Sequence, residues 1–322
     1  MSAKSFRINT STAEKLERDT YVSFAPAHAN RVMTSLINIE WARIAPDKVV
    51  IATPERVWLY RPGSGDSSDV LAQPRSGASS VATTQKLLDT SIVLAKRAVE
   101  SRLRLPALTP TRWIFHLVGQ YHLTHSTSRL MEEAAQLFAA GGRETLAQWA
   151  TQKAIEERGH DRLALLDIQS LGYKAEAVVE ALVPSSAKVL LDYFTRSVQA
   201  SDPIRCVGYS YTLERLALAI GEEYIQAVEA LLPPGTSATR CLRVHSGVGS
   251  DVEHVEETVA LVAGLTPEER TRIAIACYET ALLYFSSPQR SYPSDEELQQ
   301  ILRPLVLRPR QQEESDCLLL RQ

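Results

Sequence analysis

The chain has 322 residues, 44% hydrophobic and 23% charged, the balance of an ordinary soluble protein with room for one large domain and an appendage. A net charge of −3 gives no basic field to hold nucleic acid. The four cysteines are scattered without a CxxC pair, which fits a reducing cytoplasm, and no apolar run approaches the roughly 20 residues that span a bilayer.

The opening MSAKSFRINTSTAEKLERDTY has no apolar centre and does not read as a signal peptide. NIEWARIAP and KVVIATPERVWLYRP then alternate and carry Val, Ile, Trp and Tyr, which predicts short strands with a turn at Thr53-Pro54. GSGDSSDVLAQPRSGASS is rich in Gly and Ser and reads as a linker. From about 83 to 285 the periodicity is helical. Leu87, Leu88, Val93 or Leu94, and Ala98 mark the first helix. Thr109-Pro110 is an N-cap and first-turn proline opening the second. A helix restarting at Ser126 or Ser128 closes at Gly141-Gly142, and a long helix is expected from about 144 to 171, ending at Gly172. Asp202-Pro203 opens the helix carrying RCVGYSYTLERLALAI, and Thr266-Pro267-Glu268-Glu269 is a capping box. The division expected is a β-containing extension and linker over 1–80, a helical domain over 81–290, and a C-terminal helix and tail over 291–322.

Six of the seven histidines fall in the helical region, and two stand three residues after a carboxylate. Glu157 and His160 form an ExxH, and Asp251 and His254 form a DxxH. Residues three apart on a helix project from one face, so a carboxylate oxygen and an imidazole nitrogen can reach one metal ion. Glu157 shares its predicted face with Ala150, Ala154 and Ala164, small residues that let helices approach. Glu214 sits on an apolar face with Val207, Tyr211 and Leu218, so it needs a buried partner: a tyrosine or arginine of another helix, or a metal. Histidines and carboxylates without thiolates suit non-haem iron or manganese better than structural zinc. His122 and His125 read as packed or surface side chains, with a place beside the pocket as the alternative. Asp161, Asp167 and Glu253 are either supports for metal ligands or solvated charges.

The order Glu157-xx-His160, then Glu214, then His245 with Asp251-xx-His254 resembles the haem-oxygenase-like di-iron oxidases and oxygenases, often called iron-containing redox enzymes. The stretches EERGHDRLALLDIQSLGY, GYSYTLERLALAIG and CLRVHSGVGSDVEHVEE carry the likeness, over roughly residues 105 to 285. The resemblance implies a mainly α, haem-oxygenase-like bundle with a small N-terminal β-containing extension. It implies that Glu157, His160, Glu214, His245, Asp251 and His254 are the ligands of two non-haem irons. The activity implied is dioxygen activation against a small organic substrate: oxidative C–C cleavage or decarboxylation, or N-oxygenation. The expected partners are that substrate and dioxygen, with a homodimer allowed and neither nucleic acid nor membrane. One spacing departs from the family. His245 and Asp251 are six apart where the family has HxxxDxxH, and six residues of unbroken helix turn by about 600°, which separates their faces. Gly247 and Gly249 offer a break that can swing His245 back.

Alternatives from other classes are a metal-free helical protein binding a small molecule or partner, and a cofactorless oxidase on the same fold. A ferritin-like bundle led by Glu132 or Glu133 ranks lower, because it leaves His245 idle. There is no GxxxxGK[ST] or GxGxxG, so nucleotide binding has no support.

Overall fold

The computed structural model describes residues 22–24, 39–62, 77–99, 106–247, 251–286 and 292–307. Within them lie four strands and thirteen α-helices, so the protein is mainly α with a small N-terminal sheet. No described helix is long and apolar enough to cross a membrane.

Strands β2 (Glu40–Ala45), β3 (Lys48–Ala52) and β4 (Val57–Tyr60) form an antiparallel meander. β1 (Val22–Phe24) adds in parallel to β4, giving the order β1-β4-β3-β2. The turn expected at Thr53-Pro54 is closed by the Thr53 amide on the Arg56 carbonyl at 2.8 Å and by the Thr53 hydroxyl, which accepts from the Arg56 amide at 3.0 Å. Alternation sorts the two faces. Ala42, Ile44, Val50, Ala52, Val57 and Leu59 join the main helical core, while Val49 and Ile51 pack with Trp41, Trp58 and Tyr60 on the other side. The sheet therefore shares one core with the helices. A buried ion pair crosses that junction: Arg270 Nη2 lies 2.6 Å from Glu40 Oε1, with Arg270 1% exposed and Glu40 5%.

Helices α1 (Val81–Val99) and α12 (Pro267–Phe285) run through the main core with α3 (Thr127–Ala140), α4 (Glu144–Glu156), α7 (Ser185–Val198), α8 (Arg205–Ala217) and α11 (Asp251–Gly264). A second cluster joins α2 (Pro110–His125), α5 (His160–Ser170), α6 (Ala175–Ala181), α9 (Glu222–Glu229), α10 (Arg240–Val244) and α13 (Asp295–Leu302). The predicted caps form. Thr109 accepts from the Arg112 amide ahead of Pro110, and Thr266 and Glu269 make a reciprocal capping box. The Asp202 carboxylate accepts from the Ile204 amide at 3.2 Å in the turn ahead of α8, whose N-cap position, Ile204, has no side-chain cap.

The long helix expected over 144–171 is two helices. α4 ends at Glu156, and α5 begins at His160. Between them Gly159 has φ of 87°, in the left-handed region, which a right-handed helix cannot continue and which glycine enters without a Cβ clash. Residues 157 and 160 thus flank a break and do not lie one turn apart on a continuous helix.

Candidate metal centre

The break sets the site. Glu157 is the C-terminal cap residue of α4 and His160 is the first residue of α5. His160 Nδ1 lies 3.2 Å from Glu157 Oε2, so the break brings the pair together although the helical spacing argument does not apply. His245 is the C-terminal cap of α10, the short helix packed on α5. Its ring meets that of His160 edge to face, with centroids 4.7 Å apart. One donor atom from each of Glu157, His160 and His245 falls within 4.8 Å of the others.

Burial favours a neutral Glu157, but the hydrogen bond with His160 and the positive potential of His245, His160 and Lys153 outweigh it and hold the carboxyl below its ordinary value. The group is thus an ionised acceptor facing two imidazoles. That is the protonation state in which a carboxylate binds a cation.

Asp167, left open between support and solvated charge, is fully buried on α5. It accepts from the Cys241 amide at 3.0 Å and from Arg240 Nη1 at 2.9 Å, both on α10. Burial pushes its carboxyl up, against those same hydrogen bonds. The carboxylate ties the helix ahead of His245 to the helix that starts with His160. A second tether follows His245: the Gly247 amide donates to the Ile220 carbonyl at 3.0 Å. A Cβ on Gly247 would lie 2.5 Å from the Leu218 carbonyl oxygen, so only glycine fits that approach. α10 ends at Val244 and residues 245–247 are not helical, so His245 does not lie on one unbroken helix with Asp251; the expected break at Gly249 lies outside the described residues.

The other three expected ligands sit differently. Glu214 lines the same cavity as Glu157 and His245, but its Oε1 is 3.1 Å from the Lys153 ammonium. His254 Nε2 lies 3.3 Å from Glu156 Oε2, and that oxygen is 3.3 Å from Lys153 Nζ. Asp251 is the first residue of α11, and its side chain lies outside the described residues. Lys153 and Glu156 were missed by sequence reasoning. The available signal was that Lys153 falls on the stripe Ala150, Ala154, Glu157, at a buried position of the helix.

The cavity holds about 1130 Å³ including its open mouth. Its lining combines apolar Trp113, Leu117, Met131 and Leu213 with polar Lys153, Glu157, Glu214 and His245. A second cavity of about 840 Å³ shares His116, Gln120, Leu123 and Tyr284 with the first. His116 stacks on Trp113, and burial lowers its pKa to about 4, so it is neutral. His122 Nε2 donates to the carbonyls of Val179 and Leu182, at 3.1 and 3.0 Å. His125 meets Asp161 at 2.7 Å on the surface. Both follow the packed or surface reading.

No protein-family model and no curated protein matches the sequence. Among solved structures the chain is similar to a domain of unknown function with a heme oxygenase-like fold from Shewanella denitrificans. Identity is 19% and the TM-score 0.48, over 74% of this chain and 94% of that one. It is also similar to a TenA homolog from Pseudomonas syringae pv. tomato, with 12% identity and a TM-score of 0.49, over 67% of this chain and 98% of that one.

Proposed function

We propose that the chain is a non-haem iron enzyme that uses dioxygen to oxidise a small organic substrate. The observation that carries the reading is the meeting of Glu157, His160 and His245 donors within 4.8 Å, beside a cavity that Glu157 and His245 line. Two imidazoles and one carboxylate, with no thiolate, form the donor set that suits ferrous iron while leaving coordination positions open. Iron held there would supply the activation of dioxygen. The protein's own residues do the rest. Glu157 brings a carboxylate oxygen, and His160 and His245 bring ring nitrogens as donors. Asp167 and Gly247 fix the backbone on either side of His245. The apolar lining residues exclude water and take the hydrocarbon part of a substrate, and the polar ones orient a charged or hydrogen-bonding end. The mixed lining agrees with a small organic acid, amine or fatty chain and favours no single outcome among decarboxylation, C–C cleavage and N-oxygenation.

The test is metal binding followed by turnover. The protein is loaded with ferrous iron without oxygen, desalted, and its iron measured. Bound iron is expected in the wild type and absent in Glu157→Ala and His245→Ala variants that keep the wild-type circular dichroism. A wild type that retains no iron removes the basis of the proposal. A metal-free reading is favoured by one observation, the internal charge of Lys153 on Glu214. It predicts ligand binding or oxidation unchanged by chelation.

A further inference from the structure

We propose that this centre holds one metal ion, not two, because the Lys153 ammonium already occupies the role of the second cation. The inference rests on the iron reading above and fixes its stoichiometry. The six residues expected as ligands divide into two groups in the fold. Glu157, His160 and His245 bring one donor atom each to within 4.8 Å of one another. Glu214 and His254 are instead drawn into a chain of polar contacts: Glu214 to Lys153 at 3.1 Å, Lys153 to Glu156 at 3.3 Å, Glu156 to His254 at 3.3 Å.

Lys153 is an unusual residue to find there. It is only 2% exposed, at the end of α4 among Ala150 and Ala154, each of which is also buried. An ammonium removed from water needs close anions, and it has two, Glu156 and Glu214. Those carboxylates would otherwise face each other across a buried gap with one imidazole beside them, which is itself a donor set for a divalent ion. The lysine fills that gap from within the chain. A second metal would have to sit beside the ammonium in a poorly screened interior, where like charges repel strongly. It would also have to take Glu214 away from the ammonium and leave Lys153 with one carboxylate. The ammonium already supplies one positive charge to the two acids, so a divalent ion gains less there than between two carboxylates with no cation beside them. Lys153 also lines the cavity beside Glu157, so its positive charge is a permanent feature of the polar lining next to the single ion.

The experiment counts metal ions. Apoprotein is titrated without oxygen with ferrous iron, and separately with Mn(II), and bound metal per chain is measured after desalting. Wild type is expected to hold one ion, with the Mn(II) spin-resonance spectrum of an isolated ion. Lys153→Met, which keeps length but removes the charge, is expected to rise to two ions per chain with a spin-coupled Mn(II) spectrum. Lys153→Arg is expected to stay at one. Two ions in wild type overturn the inference even if Lys153→Met does not fold. One ion in both wild type and a folded Lys153→Met also overturns it, since the lysine is then not what excludes the second. No ion in wild type is a different result: it overturns the iron reading itself, and this inference falls with it.

Discussion

Gly247→Ala tests whether the close packing after His245 is what places that imidazole. The added Cβ would stand 2.5 Å from the Leu218 carbonyl oxygen, where ordinary contact begins at 3.4 Å, so the backbone must yield by about 0.9 Å. The obstacle is main chain at the end of α8, held by the Leu218 amide on the Glu214 carbonyl at 2.9 Å, so it cannot rotate aside. Overpacking of this kind costs about 1–3 kcal/mol of stability. The effect on the site is more specific. Metal-binding constellations must be held to about 0.5 Å, and losing a supporting contact commonly weakens metal affinity about 10–100-fold. We therefore expect the variant to fold, with a lower urea midpoint, and to lose affinity within that range. Ferrous iron or Co(II) competed against a chelator gives the affinity, and far-ultraviolet circular dichroism in urea gives the stability. A folded variant whose affinity stays within about twofold of wild type would refute the argument that Gly247 positions His245.

Glu40→Ala leaves Arg270 buried without its carboxylate, a change that typically costs about 3–5 kcal/mol. The lower end is expected because Arg270 keeps the Gly77 carbonyl at 3.2 Å. Urea denaturation followed by tryptophan fluorescence and by circular dichroism should show one coincident transition, since sheet and helices share a core; a loss below about 1 kcal/mol or two separated transitions would count against it. Asp202 offers a pH test. Burial raises its carboxyl, but the Arg272 hydrogen bond and the Arg143 and Arg272 charges outweigh it and bring the pKa below the ordinary 3.8. Its contribution is then present above about pH 3.8 and is lost as pH falls through the depressed folded value. Asp202→Asn should be less stable than wild type near neutrality and converge with it in strong acid. A difference that does not change with pH would show that the ion pairs with Arg143 and Arg272 are not its source.

The elements that the sequence makes legible are those with a strong local signal. Thr109-Pro110 and Thr266-Pro267-Glu268-Glu269 mark helix starts because a hydroxyl and a proline solve the problem of unpaired amides at that point. The strands around Trp41 and Val50 declare themselves by alternation. β1 does not, because three residues of VSF carry no period, and their pairing to β4 is set by a partner far along the chain. The break at Gly159 was hidden because a lone glycine in a helical pattern is usually tolerated, and only the left-handed φ reveals a stop. Lys153 was hidden for a related reason. A lysine on a helix normally extends into water, and its burial depends on Glu214, which lies 61 residues later.

Two of these misses, the break at Gly159 and the buried Lys153, have a common location, and it is the site. Regular helices can be read from sequence because each residue's direction follows from its neighbours. A metal centre needs donors aimed at one point, and a continuous helix offers only fixed directions about 100° apart. Here two of the three converging donors, Glu157 and His245, are helix-end residues, and the third, His160, follows a glycine break. The chain gains the convergence by giving up helical regularity at these positions, then restores rigidity with buried polar ties such as Asp167 to the α10 backbone. Local rules therefore fail where function requires them to be broken. Replacing Gly159 with alanine should act on the site through the same logic: a residue that disfavours φ of 87° pulls α4 and α5 toward one continuous helix and moves the Glu157 carboxylate away from His160.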